Sequence, residues 1–318
     1  MADAERERLR KGFTRVAELY DRVRPGYPQA MFDDLLGSAG PGCRVLEIGC
    51  GTGQATAPLA ESGCRVVAVE LGAEMAAVAR RNLARFPGVE VVTAAFEEWP
   101  LPREPFDVVV SATAFHWIDP AVRVTKAADA LRPGGLLATV ATHHVAGGSA
   151  EFFAEVQDCY ERFDPATPPG LRLTAAAGIP RDGEEVRRSG RFGPVAFHRY
   201  EWELTYATAE YLDLLRTYSG HLALLAAARD GLLACVGGLI DGRYGGSVTK
   251  RYLTELRLAQ RTGRASSAGT SITSMTCSRS PCRTVPVDRK PRLSGNRTDG
   301  VARVSGAGSS AIGAGGGS

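Results

Sequence analysis

The stretch "VLEIGCGTGQAT", residues 45–56, is an apolar run carrying one carboxylate, Glu47, that breaks into three alternating glycines, Gly49, Gly51 and Gly53, and resumes with helix-forming residues. A strand that ends in a glycine loop and re-forms as a helix is how an open parallel sheet receives a ligand past the carboxyl ends of its strands. The glycines let the backbone approach that ligand. A helix expected from near Gln54 would aim its free amide groups at an anion.

Outward from this loop, apolar strands and helices alternate five times. A strand, "CRVVAVE", is followed by a helix across 73–85; "VEVVTAA" precedes a loop holding Trp99; "FDVVVSAT" precedes a helix across 120–131; and "RPGG" turns into "LLATVAT". Upstream, the pattern predicts a helical stretch near 5–20, the segment "DRVRPGYP" and a helix across 28–38. Alternation with nearly all-apolar strands is what a parallel sheet covered by helices on both faces requires. After an interruption at 149–193 with one helix, "SAEFFAEVQDCYERF", the segment "VAFHRYEWELTY" alternates as a strand does, and a helix-rich segment runs from 208 to about 240. "RYLTELRLAQ" fits strand or helix; we read it as a strand antiparallel to the one near 195–205.

The chain has 318 residues and 44% hydrophobic content, enough for a substantial core. No run reaches the roughly 18 to 20 apolar residues that span a membrane, and the charged start "MADAERERLRK" lacks a signal-peptide core. We therefore expect a cytoplasmic protein. Its seven cysteines form no CxxC pair and no cluster with zinc spacing, so the expectation is reduced structural thiols and no metal. After Gln260 the chain loses its aromatic residues and its periodic pattern. Such a segment cannot bury enough surface to offset its chain entropy, and we expect 263–318 to be a disordered basic tail. Residues 261–318 hold nine basic and two acidic residues, leaving 29 basic and 33 acidic in the rest. The folded part is mildly acidic, which argues against nucleic acid as a partner.

The spacing of the loop narrows the ligand. A nicotinamide dinucleotide site reads GxGxxG and holds a pyrophosphate; here the pattern is ExGxGxG. A carboxylate at Glu47 repels a pyrophosphate and attracts an amino group, which suits the amino-acid end of S-adenosylmethionine. Glu70, closing "VVAVE", is placed to accept bonds from two ribose hydroxyls; that would suit NAD equally.

At this point the chain resembles the class I S-adenosylmethionine-dependent methyltransferases, particularly the bacterial small-molecule group that includes trans-aconitate methyltransferase-like proteins. "VLEIGCGTGQAT", "VVAVE", "FEEWPLP", "FDVVVSATAFHWID" and "LRPGGLLA" follow in the expected order over roughly residues 10–260. The resemblance implies an α/β fold with a seven-stranded, mostly parallel Rossmann-like sheet, helices on both faces, a last strand running antiparallel, and a helical lid over the active site. It implies one domain over 1–262, with a lid at 1–40 and substrate-side insertions at 143–193 and 206–245. The cofactor, S-adenosylmethionine leaving as S-adenosylhomocysteine, would lie across the ends of the first two strands.

On that reading Glu47, Gly49, Gly51, Gly53 and Glu70 bind the cofactor, and Leu71 and the backbone of Phe96 meet the adenine. Ala95 stands where many members carry an acid. Ser111 borders the methionine part, while Phe115, His116 and Trp117 face the acceptor. His116, whose ordinary pKa lies near neutrality, is the candidate general base. "YDRVRPGYP" resembles the family's lid: Arg24 would meet the cofactor carboxylate, Tyr20 the sulfonium, and Tyr27, with Tyr218 from the inserted helices, the acceptor pocket. The acceptor would be a small molecule, methylated by in-line displacement. Two rivals stand beside this reading: a nucleic-acid or protein methyltransferase, and a catalytically silent cofactor-binding protein.

Overall fold

A computed structural model describes residues 16–263 and 283–284. Helices α1 (Ala17–Val23) and α2 (Gln29–Ala39) lead into the sheet. Strand β1 (Arg44–Ile48), helix α3 (Thr56–Glu61), strand β2 (Arg65–Glu70), helix α4 (Ala73–Leu83) and strand β3 (Val89–Thr93) follow. Next come β4 (Phe106–Ala112), a short 3-10 turn (Phe115–Trp117), α5 (Arg123–Ala130) and β5 (Leu131–His144). The insertion holds α6 (Ala150–Glu155), α7 (Gln157–Phe163) and α8 (Glu184–Arg188). Strand β6 (Ala196–Ala207), helices α9 (Thr208–Leu215), α10 (Ser219–Ala223) and α11 (Ala226–Arg243), and strand β7 (Ser247–Gln260) complete the unit. A two-residue strand, β8 (Arg283–Thr284), pairs in parallel with β6. The expectation of disorder for the rest of the tail lies outside the described residues.

The strand order is β3-β2-β1-β4-β5-β7-β6-β8. Strands β1 to β5 pair in parallel, and β7 runs antiparallel to both β5 and β6. The order reverses between β1 and β4, which puts a crevice at their carboxyl ends. The ambiguous "RYLTELRLAQ" is a strand because it has β5 on one edge and β6 on the other, so both sets of its backbone groups are paired. It also starts earlier than expected, at Ser247. "RPGG" bulges out between the Phe106–Leu131 and Val108–Leu136 pairs, with Gly134 at φ 74°.

Met31, Leu35, Val45 and Val66 lie in a core cluster that joins α2 to the sheet, and Leu46, Ile48, Val109 and Ala127 in another that joins α5 to it. A third cluster, with Phe152, Trp202, Tyr206, Tyr211, Leu232 and Tyr252, joins the insertion helices to the far ends of β6 and β7 and forms a cap. Two expectations are corrected there. The helix over 149–163 is two helices, interrupted at Val156. Cys159 and Cys235 form a disulfide, not free thiols: packing α7 against α11 brings their Cα atoms to 5.8 Å across a sequence separation of 76. Spacing along the chain carries no trace of that proximity. Cys43, Cys50 and Cys64 are free and buried. Among the described residues, no helix is long and apolar enough to cross a membrane.

Candidate active site

The crevice holds a cavity of about 100 Å³. Its walls include Gly49 and Gly51 from the loop after β1, Glu70, Leu71 and Gly72 after β2, Phe96 after β3, and Thr113, His116 and Trp117 after β4, with Tyr20 and Arg24 contributed by α1 and its end.

The loop backbone has the left-handed conformations that its glycines allow. Gly49 sits at φ 71°, and a Cβ there would meet the Ala114 Cβ at 2.5 Å. Gly51 sits at φ 59°, and a Cβ there would stand 3.6 Å from Met75 and 3.8 Å from Tyr20, projecting toward the cavity. The loop amides differ from expectation. Turns occupy 51–55, helix α3 starts only at Thr56, the Gly51 amide donates to Glu70 at 2.9 Å and the Gly53 amide to the Cys50 carbonyl at 2.9 Å. Those two amides are therefore engaged within the protein.

An arginine also lines the cavity. Arg24 is 5% exposed; its Nε donates to Thr217 Oγ1 at 2.9 Å and its Nη2 to the Thr217 carbonyl at 2.7 Å. Its Nη1 is buried without a hydrogen-bond partner, on a residue that lines the cavity. A buried donor left unmet costs about 1–3 kcal/mol, and a carboxylate arriving there would satisfy it. Across the cavity, Glu70 accepts the Gly51 amide on one oxygen and the Gly72 amide at 2.8 Å on the other. Those bonds fix the carboxylate at the wall, where it suits a ribose diol. Apolar Leu71, Met75 and Phe96 nearby suit a flat base. The donor set therefore fits S-adenosylmethionine: an acceptor for the ribose, a cation for the carboxylate and a loop without side chains between them.

Other expected residues lie elsewhere. Glu47 is 1% exposed beneath the loop, off the cavity wall, and accepts the Thr56 hydroxyl at 2.6 Å. Burial, more than the neighbouring Glu70, pushes its pKa from 4.5 up to about 7. The folded chain thus holds a proton there that the unfolded chain releases, and stability from this group falls as pH rises through 4.5 to 7. Without ligand, Glu47→Gln is expected to raise the melting temperature at about pH 8, by the equivalent of roughly 1–3 kcal/mol, and to leave it almost unchanged near pH 4.5. Calorimetric melts at the two pH values check this.

Gly53 packs against Leu83, and Ser111 is buried with its hydroxyl donating to the Ile48 carbonyl at 2.9 Å; both support the loop from below. Phe115 turns away and lies 5.2 Å from the Arg123 guanidinium, itself paired with Glu185. His116 is exposed at the mouth of the cavity, its ring centre 4.6 Å from that of Trp117. Surrounding protein and then Arg123 disfavour its cation and lower its pKa. Water on the exposed edge of the ring tempers the effect. Ala95 is off the wall, and Glu97 accepts the Asp119 amide at 3.2 Å.

A second, much smaller cavity, of about 20 Å³, shares Tyr20, Arg24 and Thr113 with the first and is closed by Tyr27, Gln54, Thr142 and Trp202. At the junction the Tyr27 and Thr113 hydroxyls lie 2.8 Å apart. Thr113 has φ 55°, a left-handed conformation that a β-branched residue adopts at a cost of about 1–3 kcal/mol. Tyr218 lines neither cavity; it is buried behind Arg24, in contact with Lys250.

Sequence reading missed Thr217, Thr142, Trp202 and Lys250. Only Lys250 left a local signal: it shares parity with Val248, Tyr252 and Thr254 on β7, a lysine on an inward face. Starting the strand at Arg251 hid it.

A methyltransferase-domain family model matches residues 46–139. An uncharacterized methyltransferase of Mycobacterium tuberculosis is 43% identical over 121 residues, 38% of this chain and 48% of that one. The chain thus spans about half the length of that mycobacterial relative. The malonyl-[acyl-carrier protein] O-methyltransferase of Enterobacter lignolyticus is 36% identical over 217 residues, 68% of this chain and 74% of that one. Among solved structures, a putative type II methyltransferase from Anaeromyxobacter dehalogenans is 24% identical with a TM-score of 0.47, covering 74% of this chain and 97% of that one. The chain belongs to the class I S-adenosylmethionine-dependent methyltransferases.

Proposed function

We propose that the protein transfers the methyl group of S-adenosylmethionine to a small-molecule acceptor by in-line displacement. The observation that carries this reading is the buried, partnerless Nη1 of Arg24 lining the same cavity as Glu70. A ligand with a carboxylate at one end and a ribose at the other answers both.

On this reading Glu70 holds the ribose, Arg24 the carboxylate, and Leu71, Met75 and Phe96 the adenine. Gly49 and Gly51 leave room for the chain between. Glu47, through Thr56, supports the loop from beneath. When bound, the cofactor supplies an electrophilic methyl group on a sulfonium. The chain supplies alignment and a dry pocket. Tyr27 and Thr113 stand where the two cavities meet and orient the acceptor; His116, held neutral, is the group at the wall that can take a proton from it.

The enterobacterial relative is named for O-methylation of a malonyl group, which supports oxygen as an accepting atom.

The test is calorimetric titration of the full chain with S-adenosylmethionine, S-adenosylhomocysteine and NAD. Binding of the first two at micromolar concentration without binding of NAD is expected; binding of NAD alone, or of nothing, sinks the reading. Release of S-adenosylhomocysteine on adding a small-metabolite mixture then separates an enzyme from a silent binder.

A further inference from the structure

Cys159 on α7 is bonded to Cys235 on α11, and Phe163, one turn further along α7, packs on Gly231, one turn back along α11. A Cβ at Gly231 would meet the Phe163 ring at 2.5 Å, so a glycine is what lets the two helices come this close. The bond spans 76 positions, and the loop it closes contains Thr217, Tyr218 and His221. A cross-link over a loop of this length removes chain freedom that opening the bond would return.

Two lines of contact run from this bond to Arg24. Along the helices, α11 packs on α9 at Gly237, two residues past Cys235, where a Cβ would stand 3.2 Å from Leu212. Just beyond the end of α9, the Thr217 hydroxyl donates to the Leu214 carbonyl at 2.7 Å and accepts Arg24 Nε at 2.9 Å. Through side chains, Tyr160, the neighbour of Cys159, has its Oη 3.1 Å from His221 Nε2. The His221 ring centre lies 5.5 Å from that of Tyr218, and the Tyr218 ring lies 5.0 Å from the Arg24 guanidinium. Both lines end on the residue whose Nη1 is buried without a partner. The bond is also within reach of a reagent. Cys159 is 4% exposed, but Cys235 is half-buried, and its helix neighbours Ala234 and Gly238 are exposed and small.

We propose that Cys159–Cys235 is a redox latch on cofactor binding, opened by a dithiol reductant and closed again by a small disulfide. This rests on the methyl-transfer reading above, in which Arg24 holds the cofactor carboxylate. In opening, a thiolate of the reductant attacks the Cys235 sulfur; the sulfur–sulfur bond breaks, and its electron pair leaves on Cys159, which takes a proton. The second thiolate of the reductant then attacks the mixed disulfide and releases Cys235, which is protonated in turn. Both cysteines are reduced and the reductant becomes a disulfide; closing runs the same exchange backwards. With the latch open, the cap holds Thr217 less firmly, and Arg24 spends less time where a carboxylate can meet it. Affinity then falls with the fraction of chains in which that contact is formed. Cys43 and Cys64, ahead of β1 and β2 and outside the cap, are already thiols, so a reductant leaves them as they are.

The experiment uses the full chain, oxidised or reduced with dithiothreitol, the state of the bond being read by non-reducing peptide mapping. Each form is titrated calorimetrically with S-adenosylhomocysteine and with methylthioadenosine, which has the nucleoside but no carboxylate. Reduction is expected to weaken S-adenosylhomocysteine binding about fivefold or more. Methylthioadenosine is expected to stay within about twofold, since a ligand that does not use Arg24 is indifferent to the contact. The circular dichroism of the fold is expected to persist, and glutathione disulfide to restore the affinity. The double variant Cys159→Ala, Cys235→Ala is expected to bind as the reduced chain does and to ignore dithiothreitol; the wild-type comparison needs no variant. Absence of the bond from the oxidised chain, unchanged S-adenosylhomocysteine affinity, equal losses for both ligands, unfolding on reduction, or a response that survives the double substitution overturns the latch. An oxidised chain that binds neither ligand overturns the methyl-transfer reading and the latch with it; one that binds both, with no effect of reduction, overturns the latch alone.

Discussion

Gly51→Arg is expected to reduce affinity for S-adenosylmethionine and S-adenosylhomocysteine by about 100-fold or more, equivalent to about 2.7 kcal/mol, with the circular dichroism of the fold retained. Residue 51 stands between Glu70, whose carboxylate its amide binds, and the Tyr20 and Met75 side chains. A Cβ alone fits there, in ordinary contact at 3.6 to 3.8 Å. The rest of an arginine does not, because the direction it must take is into the cavity. It also asks a residue with a Cβ to hold φ near 59°, which costs about 1–2 kcal/mol. Gly51 itself is half-buried at the cavity wall, so the added side chain enters the ligand space before it disturbs the packed residues around the loop. Calorimetric titration beside a thermal melt reads both, and unchanged affinity removes the central claim about the loop.

Arg24→Met should be nearly as damaging, and in two readouts at once. The third guanidinium nitrogen is the donor assigned to the cofactor carboxylate, and loss of one charge-assisted bond of this kind costs about 1.5–3 kcal/mol, or roughly 10- to 100-fold in affinity. The other two nitrogens hold Thr217, so the melting temperature should fall as well. Arg24→Lys is not expected to rescue either property, since one ammonium cannot reproduce a fork that serves two atoms of Thr217 and a third partner. A lowered melting temperature with unaltered cofactor affinity would make Arg24 an anchor of the lid and nothing more.

The parts legible in the sequence were those whose cause is local. Glycines alternating after an apolar run, an acid closing the next strand, and the switch between strand and helix periods are each decided within ten or so residues, and Gly51, Glu70 and the parallel half of the sheet followed. Glu47 shows where that reasoning thins: the pattern identified the residue, but whether its carboxylate faces the cavity or lies beneath the loop depends on a hydroxyl nine positions away. The strand at 247–260 resisted assignment because it is buried against neighbours on both edges, and its composition fits either period. Thr217 and the Cys159–Cys235 bond were beyond reach for one reason. Each acquires its partner only when the cap packs, and no spacing in the chain records it.

The pair formed by Arg24 and Thr217 joins segments 193 positions apart, one from the lid and one from the cap. A bond between segments so far apart in the chain forms only when lid and cap dock, so a ligand that engages the third guanidinium nitrogen ties its own binding to that docking.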